Sequence, residues 1–263
     1  MKNRRQIAVA ASAVLLLAGC GDAAGSAATA ARVDTSLPHG NSPVTNDPAD
    51  YSVEITNSYW PMPPGRRWTY VERDLDGTEA TAVIIVTKQT KVLANGVTAR
   101  VVRDTVTKAG EVIEDTLDYF AQDRAGNIWY FGEQTAEFDH GKITTTAGSF
   151  EAGVAGALPG IAVPADPVAG MAYRQEYLKG GAEDNGQVLS TDELAEVPAG
   201  LYRQALLTKD TTPLEPALLE YKLYAKGVGP VLVLTASGGN TRSELMQMDT
   251  APADAGMGPL GTP

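Results

Sequence analysis

The sequence predicts an all-β chain, a single antiparallel β domain over residues 51–248, built as a sandwich or as a sheet curled into a half-barrel. Three observations carry this. Apolar and polar residues alternate with a period of two in segment after segment, and beyond the first twenty residues no stretch holds a 3.6-residue period over three turns. Turn clusters separate these segments at roughly ten-residue intervals. The chain of 263 residues is also long enough to bury a substantial core.

The strands are expected in the following order. Trp68-Thr69-Tyr70-Val71 runs into the turn Asp74-Leu75-Asp76-Gly77. Glu79 to Leu93 carries the β-branched run Val83-Ile84-Ile85-Val86-Thr87 and ends at Asn95-Gly96, a two-residue hairpin signal. Val97 to Val106 follows, with Val97, Ala99 and Val101 on one face. In Glu111 to Gln122, Ile113, Leu117, Tyr119 and Ala121 share a face, and Glu114, Thr116 and Asp118 share the other. Asp123-Arg124-Ala125-Gly126 turns the chain into Asn127 to Glu137, which completes a five-strand meander. Ala152 to Gly170 holds Gly153, Gly156, Pro159, Gly160, Pro164, Pro167 and Gly170, a spacing that predicts a long loop rather than a helix or central strand. Strands resume at Met171–Leu178, Gln187–Val197, Leu201–Thr208, Leu218–Ala225, Val228–Ala236 and Thr241–Met248.

The flanks are compositionally different. Residues 1–19 read as a signal peptide: Lys2, Arg4 and Arg5 form a basic start, and Ile7 to Leu17 is apolar but too short to span a bilayer of ~30 Å. Leu17-Ala18-Gly19-Cys20 resembles the lipobox of bacterial lipoproteins, in which the cysteine is diacylated and becomes the first mature residue. The resemblance implies lipidation of Cys20 and attachment, through acyl chains, to a membrane of the bacterial envelope on its extracytoplasmic side. Residues 20–50 are rich in Ala, Gly, Ser, Thr and Pro and read as the lipidated cysteine and a flexible tether; residues 249–263 read as a disordered tail.

Charge and residue usage exclude several functions. The net charge of −11 grows more negative once the three basic residues of the signal are removed, and no Lys/Arg cluster offsets it, so nucleic acid is not a partner. The single cysteine, consumed by lipid, leaves no disulfide, thiol nucleophile or thiolate metal site. The two histidines fall in the tether (His39) and in the turn Asp139-His140-Gly141, and no G-x-S-x-G elbow accompanies them.

A wider resemblance is carried by Pro61-Met62-Pro63-Pro64-Gly65-Arg66-Arg67-Trp68-Thr69-Tyr70, by Asp118-Tyr119-Phe120-Ala121-Gln122-Asp123 with Gly126-Asn127-Ile128-Trp129-Tyr130-Phe131-Gly132-Glu133, and by Tyr173-Arg174-Gln175-Glu176-Tyr177. Leu214-Glu215-Pro216 and Glu220-Tyr221-Lys222 through Gly229 extend it. Together these are similar to secreted bacterial β-rich domains of the DUF3108-like kind. The resemblance implies a β fold and an envelope location, and it carries no catalytic residues.

The aromatic strand Trp129-Tyr130-Phe131 supplies the main candidate site. Strict alternation puts Trp129, Phe131 and Glu133 on one face; with Tyr119 across the hairpin they are either ordinary core and cross-strand pairs, the preferred reading, or a pocket floor for an apolar or ring-shaped ligand. Leu158 and Ile161, in the Gly/Pro-rich segment, either close over it or pin the segment to the core, and pinning is the preferred reading. Acidic turns (Asp74-Leu75-Asp76-Gly77, Asp123 with Asn127, and Glu183-Asp184-Asn185) lack the spacing of a calcium loop, so no metal or other cofactor is expected. Glu133, Glu176, Glu183 and Glu220 are available to a two-carboxylate hydrolase, but Arg174 with Glu176 and Glu220 with Lys222 are spaced to form same-face ion pairs instead. The expected function is a non-catalytic binding or interaction module, its partner another envelope protein or a small amphiphile. A carrier of a lipid or other amphiphile in a half-barrel is the alternative, and an envelope hydrolase ranks third.

Overall fold

The structure, a computed structural model, describes residues 37–262. The lipobox and Cys20 lie outside the described residues. Apart from one turn of 3-10 helix (Pro48–Asp50), every described element is a strand. After β1 (Tyr51–Ser52), the expected meander is present: β2 (Arg66–Arg73), β3 (Glu79–Val92), β4 (Thr98–Lys108), β5 (Glu111–Asp123) and β6 (Ile128–Asp139) each pair antiparallel with the next. Asn95-Gly96 makes the β3–β4 turn, with Gly96 at φ +86°. Five short strands follow: β7 (Lys142–Thr145), β8 (Phe150–Glu151), β9 (Leu158–Val163), β10 (Ala172–Arg174) and β11 (Glu176–Tyr177). A second meander then runs through β12 (Asn185–Val197), β13 (Gly200–Thr212), β14 (Glu215–Ala225), β15 (Gly229–Ser237) and β16 (Arg242–Thr250). β16 returns to pair with β2, which joins the two meanders into one sheet.

The edges of that sheet are β10 and β11, consecutive in the chain and separated only by Gln175. One residue therefore crosses the seam of a nearly closed barrel. The curled sheet, not the sandwich, is the architecture.

The Ala152–Gly170 segment is not the loop expected from its glycines and prolines. β9 lies within it as an interior strand, pairing with β6 on one side and β11 on the other. Pro159 and Gly160 are tolerated because the ladder is short and the seam needs a close approach. A Cβ on Gly160 would lie 2.3 Å from the Arg174 carbonyl oxygen. Leu158 and Ile161 are therefore pinned to the sheet, Ile161 being fully buried.

The described parts of the two flanks run along the barrel. Leu37 is buried, and the Arg174 guanidinium donates to the carbonyls of Gly40 (2.7 Å), Ser42 (2.9 Å) and Pro159 (2.8 Å). Arg174 thus binds backbone oxygens instead of pairing with Glu176, and burial pulls its pKa down to about 10. At the other terminus, a fully buried Arg103–Asp115 ion pair anchors the tail. Arg103 donates to the carbonyls of Gly258 (2.7 Å) and Pro259 (2.9 Å), and the Gly261 amide donates to Asp115 at 2.7 Å. Composition alone hides both latches, because carbonyls of small residues satisfy the buried guanidinium groups.

Candidate functional site

The barrel interior holds a cavity of about 820 Å³. Its floor is aromatic. Trp60, on the segment between β1 and β2, packs against Trp68, Phe120 and Tyr224 with ring centroids 6.5, 5.5 and 6.1 Å away. Trp68 Nε1 donates to the Val228 carbonyl (2.7 Å) and Tyr70 Oη to that of Pro230 (2.8 Å), tying β2 to the start of β15 around this floor. At the opposite end the cavity reaches the β2–β3 turn (Asp76, Thr78) and the β15–β16 turn (Gly238, Gly239, Asn240). Thr241 Oγ1 donates to Asp74 Oδ1 at 2.9 Å and joins the two turns.

The walls follow from strand alternation. Tyr70 and Glu72 on β2, Ala80, Ala82 and Ile84 on β3, and Asp104, Val106 and Lys108 on β4 all face inward at every second position. Glu114 and Phe120 on β5, and Glu220, Lys222 and Tyr224 on β14, complete the ring, with Glu176 and Asp184 beside the seam. The polar face of β5 is thus the one that looks into the barrel. Its apolar face is covered from outside, where Tyr119 and Ala121 are buried and the Lys91 ammonium lies 4.1 Å from the Tyr119 ring centroid.

This reverses the site expected from the aromatic strand. Trp129 and Phe131 face away from the cavity, and the Tyr51 ring packs edge-on against both, at 5.9 and 5.1 Å. Trp129 Nε1 donates to Asp123 Oδ2 at 2.7 Å. Tyr119, Trp129, Phe131, Leu158 and Ile161 do not line the cavity, whereas their sequence neighbours Phe120, Tyr130 and Ala162 do. Glu133 is separated from Trp129 and Phe131 by an irregularity at Gly132, whose φ is +142°. Strict alternation fails there, and Glu133 turns to the Tyr130 side, Oε2 lying 3.0 Å from Tyr130 Oη. A glycine in mid-strand is the one sequence signal that points to this switch.

Among the described residues, eight carboxylates and two lysines line the cavity, and the Lys222 ammonium pairs with Asp210 at 2.8 Å rather than with Glu220. Glu220 accepts from Thr235 Oγ1 instead, at 3.1 Å. Burial, reinforced by the neighbouring carboxylates Asp118, Glu114 and Glu72, holds Asp104 well above the usual carboxylate range. Burial and Glu72 push Glu114 up to about 7. Glu176 is raised strongly by burial and by Asp184 and Glu133. Asp104 Oδ1 is shut off from solvent and has no hydrogen-bond partner. The carboxylates are strung along the strands, and among the described residues no group of three or more His, Cys, Asp or Glu side chains is placed to hold a metal. Asp123, considered above with Asn127, spends both oxygens on the Asn127 amide, the Asn127 side chain and Trp129.

No family model matches the chain, and no curated protein matches it. Among solved structures, the chain is similar to a "putative lipoprotein" from Parabacteroides distasonis, at 11% identity and a TM-score of 0.40, over 73% of this chain and 99% of that one.

Proposed function

We propose that the chain is a lipid-anchored protein of the bacterial envelope whose β domain is a non-catalytic binding module, holding its ligand inside the half-barrel. The lipobox resemblance at Cys20 supports the anchor and, with it, the envelope location. No described helix is long and apolar enough to cross a membrane. The cavity itself carries the ligand-binding reading. At about 820 Å³ it falls within the ~300–1,000 Å³ of small-molecule sites, and it combines an aromatic floor with polar walls. This favours the carrier form of binding over docking through an outer surface. The wall carboxylates serve recognition rather than hydrolysis in this reading.

The test is a solvent extraction of the chain from Gly21 onward, purified from a bacterial periplasm, followed by mass spectrometry. A stoichiometric small molecule supports the reading. A protein that comes out empty, and stays empty after incubation with an envelope lipid extract, counts against it.

A further inference from the structure

We infer that the cavity takes an uncharged fused-ring alcohol, its apolar body laid against Ala80, Ala82 and Ile84 on β3 and its hydroxyl turned to Glu176 and Glu220 on the seam side. The inference rests on the ligand-binding reading above and names its ligand class.

The space is made by β3. Its cavity-facing residues are Ala80, Ala82 and Ile84, while the larger Thr81, Val83 and Ile85 stand on the other face. A sheet that only packed its own core would carry the bulk inward. Here the strand path from β10 round to β11 encloses an interior wider than side chains fill, and the alanines widen it further. Apolar wall of this kind gains dispersion contacts from a body lying against it.

The opposite wall is polar and cross-linked within the protein. β2 and β3 stand midway along the sheet from its β10 and β11 edges, so the wall across from the alanines is the seam side. It carries Gln175, Glu176 and, on β14, Glu220 and Lys222. The Lys222 ammonium pairs with Asp210 (2.8 Å), Gln175 Nε2 donates to Asp210 (3.1 Å), and Thr235 Oγ1 donates to Glu220 (3.1 Å). A wall held in such a network takes a further hydrogen bond rather than a counter-charge. A hydroxyl suits it in either protonation state, because it donates to a carboxylate and accepts from a carboxylic acid.

The shape selects rings. Cavity residues come from β2 to β6 and from β14 to β16 as well as from the seam, so the space is broad across the barrel and not a tube between two strands. A flat, rigid body reaches from β3 to the seam, whereas a single alkyl chain follows one wall. At the floor, Trp60 is crossed by Phe120 at 64° and by Tyr224 at 55°, which presents ring surface to one end of a flat ligand. A rigid ligand also loses less conformational freedom on binding than a flexible one.

The probe is dehydroergosterol, a fluorescent fused-ring alcohol. It is delivered from methyl-β-cyclodextrin at pH 7.5 to the chain from Gly21 onward, which keeps every described residue, and energy transfer from tryptophan reports binding. Dehydroergosterol is expected to bind one to one, at least fivefold more tightly than its acetate ester and at least tenfold more tightly than dodecanol, read by displacement. Ala82→Leu fills the space beside β3; it is expected to lower sterol affinity at least tenfold and to leave the thermal midpoint at or above that of the parent chain. Ala80→Leu, nearer the mouth, is expected to do the same should Ala82→Leu fail to fold. Glu176→Leu is expected to remove the preference for alcohol over ester. Equal affinity for alcohol and ester, dodecanol binding as tightly as the sterol, or sterol binding indifferent to both alanine substitutions overturns the fused-ring alcohol and leaves the ligand-binding reading standing. Absence of sterol binding overturns it as well, and an extraction that also finds the protein empty overturns both.

Discussion

Asp118 and Glu133 face each other across the β5–β6 pair, with one hydroxyl, that of Tyr130, between them at 2.7 Å from Asp118 and 3.0 Å from Glu133. A hydroxyl has one hydrogen. If Tyr130 donates to Asp118, the contact with Glu133 is a hydrogen bond only when Glu133 is a carboxylic acid that donates to the Tyr130 oxygen. The electrostatics agree with this: burial and the charge of Asp118 push Glu133 up to about 8, burial pushes Asp118 up to about 7, and Tyr130 stays protonated because burial raises it well above its usual value.

The sign of the resulting pH dependence is the reverse of the usual carboxylate case. The folded state holds protons that the unfolded chain gives up near pH 4–5, so the stabilisation is fully present below that range and lost as pH rises through about 8. The domain is expected to be more stable at pH 5 than at pH 8.5 in urea titrations. Glu133→Gln removes the like-charge contact and should raise stability at pH 8.5 by about 1 kcal/mol while flattening the profile. A wild-type profile that climbs from pH 5 to 8.5 would contradict the shared proton.

Trp129→Ala is expected to cost about 3–5 kcal/mol, because the indole is buried against Tyr51 and bonded to Asp123. It should leave the affinity of any cavity ligand unchanged, since Trp129 lies on the outer face. Phe120→Ala, on the inner face of the neighbouring strand, should weaken that affinity. Equilibrium unfolding and ligand titration of both variants separate the two faces.

Breaking the buried Arg103–Asp115 pair leaves a charge without its partner. Asp115→Ala should destabilise by about 3–5 kcal/mol and should also release the tail, since the Gly261 amide loses its acceptor. Limited proteolysis reads the release directly, as faster cleavage within residues 251–262 than in the parent chain.

Gly132→Ala tests the switch of face in β6. An added Cβ would lie 2.3 Å from the Phe150 carbonyl oxygen at a φ of +142°, so β8 must move or the irregularity must open. A loss of about 1–3 kcal/mol is expected, together with loss of the pH dependence described above, since Glu133 no longer reaches Tyr130. A stable variant with the parental pH profile would show that the switch does not depend on the glycine.

Cys20→Ala should move the protein from the membrane pellet to the soluble fraction. Retention in the pellet after a carbonate wash would contradict the lipid anchor.

The meander was legible because its signals are local. Period-two alternation and turn dipeptides such as Asn95-Gly96 specify strands and their neighbours without reference to the rest of the chain. The inner face was not legible, because alternation assigns residues to two faces but does not say which face the sheet curls around. On β5 the Glu114/Asp118 face would pass for a solvated one, yet β16 pairing with β2 rolls it inward, and Tyr119 and Ala121 are covered from outside. The cavity residues Asp104 and Glu114 were missed for that reason. β9 was missed because its partners are set by the seam, and the flanks because Arg103 and Arg174 hold them through carbonyls that every residue possesses.

What the sequence determined by itself is thus the all-β class and most strand positions, written in patterns a few residues long. The tertiary structure decided which face is interior, where the sheet closes, and that its carboxylates share one cavity. Those properties depend on pairings between residues far apart in the chain, such as Leu245 with Tyr70, and on a closure that places acidic side chains from different strands close enough to raise one another's pKa.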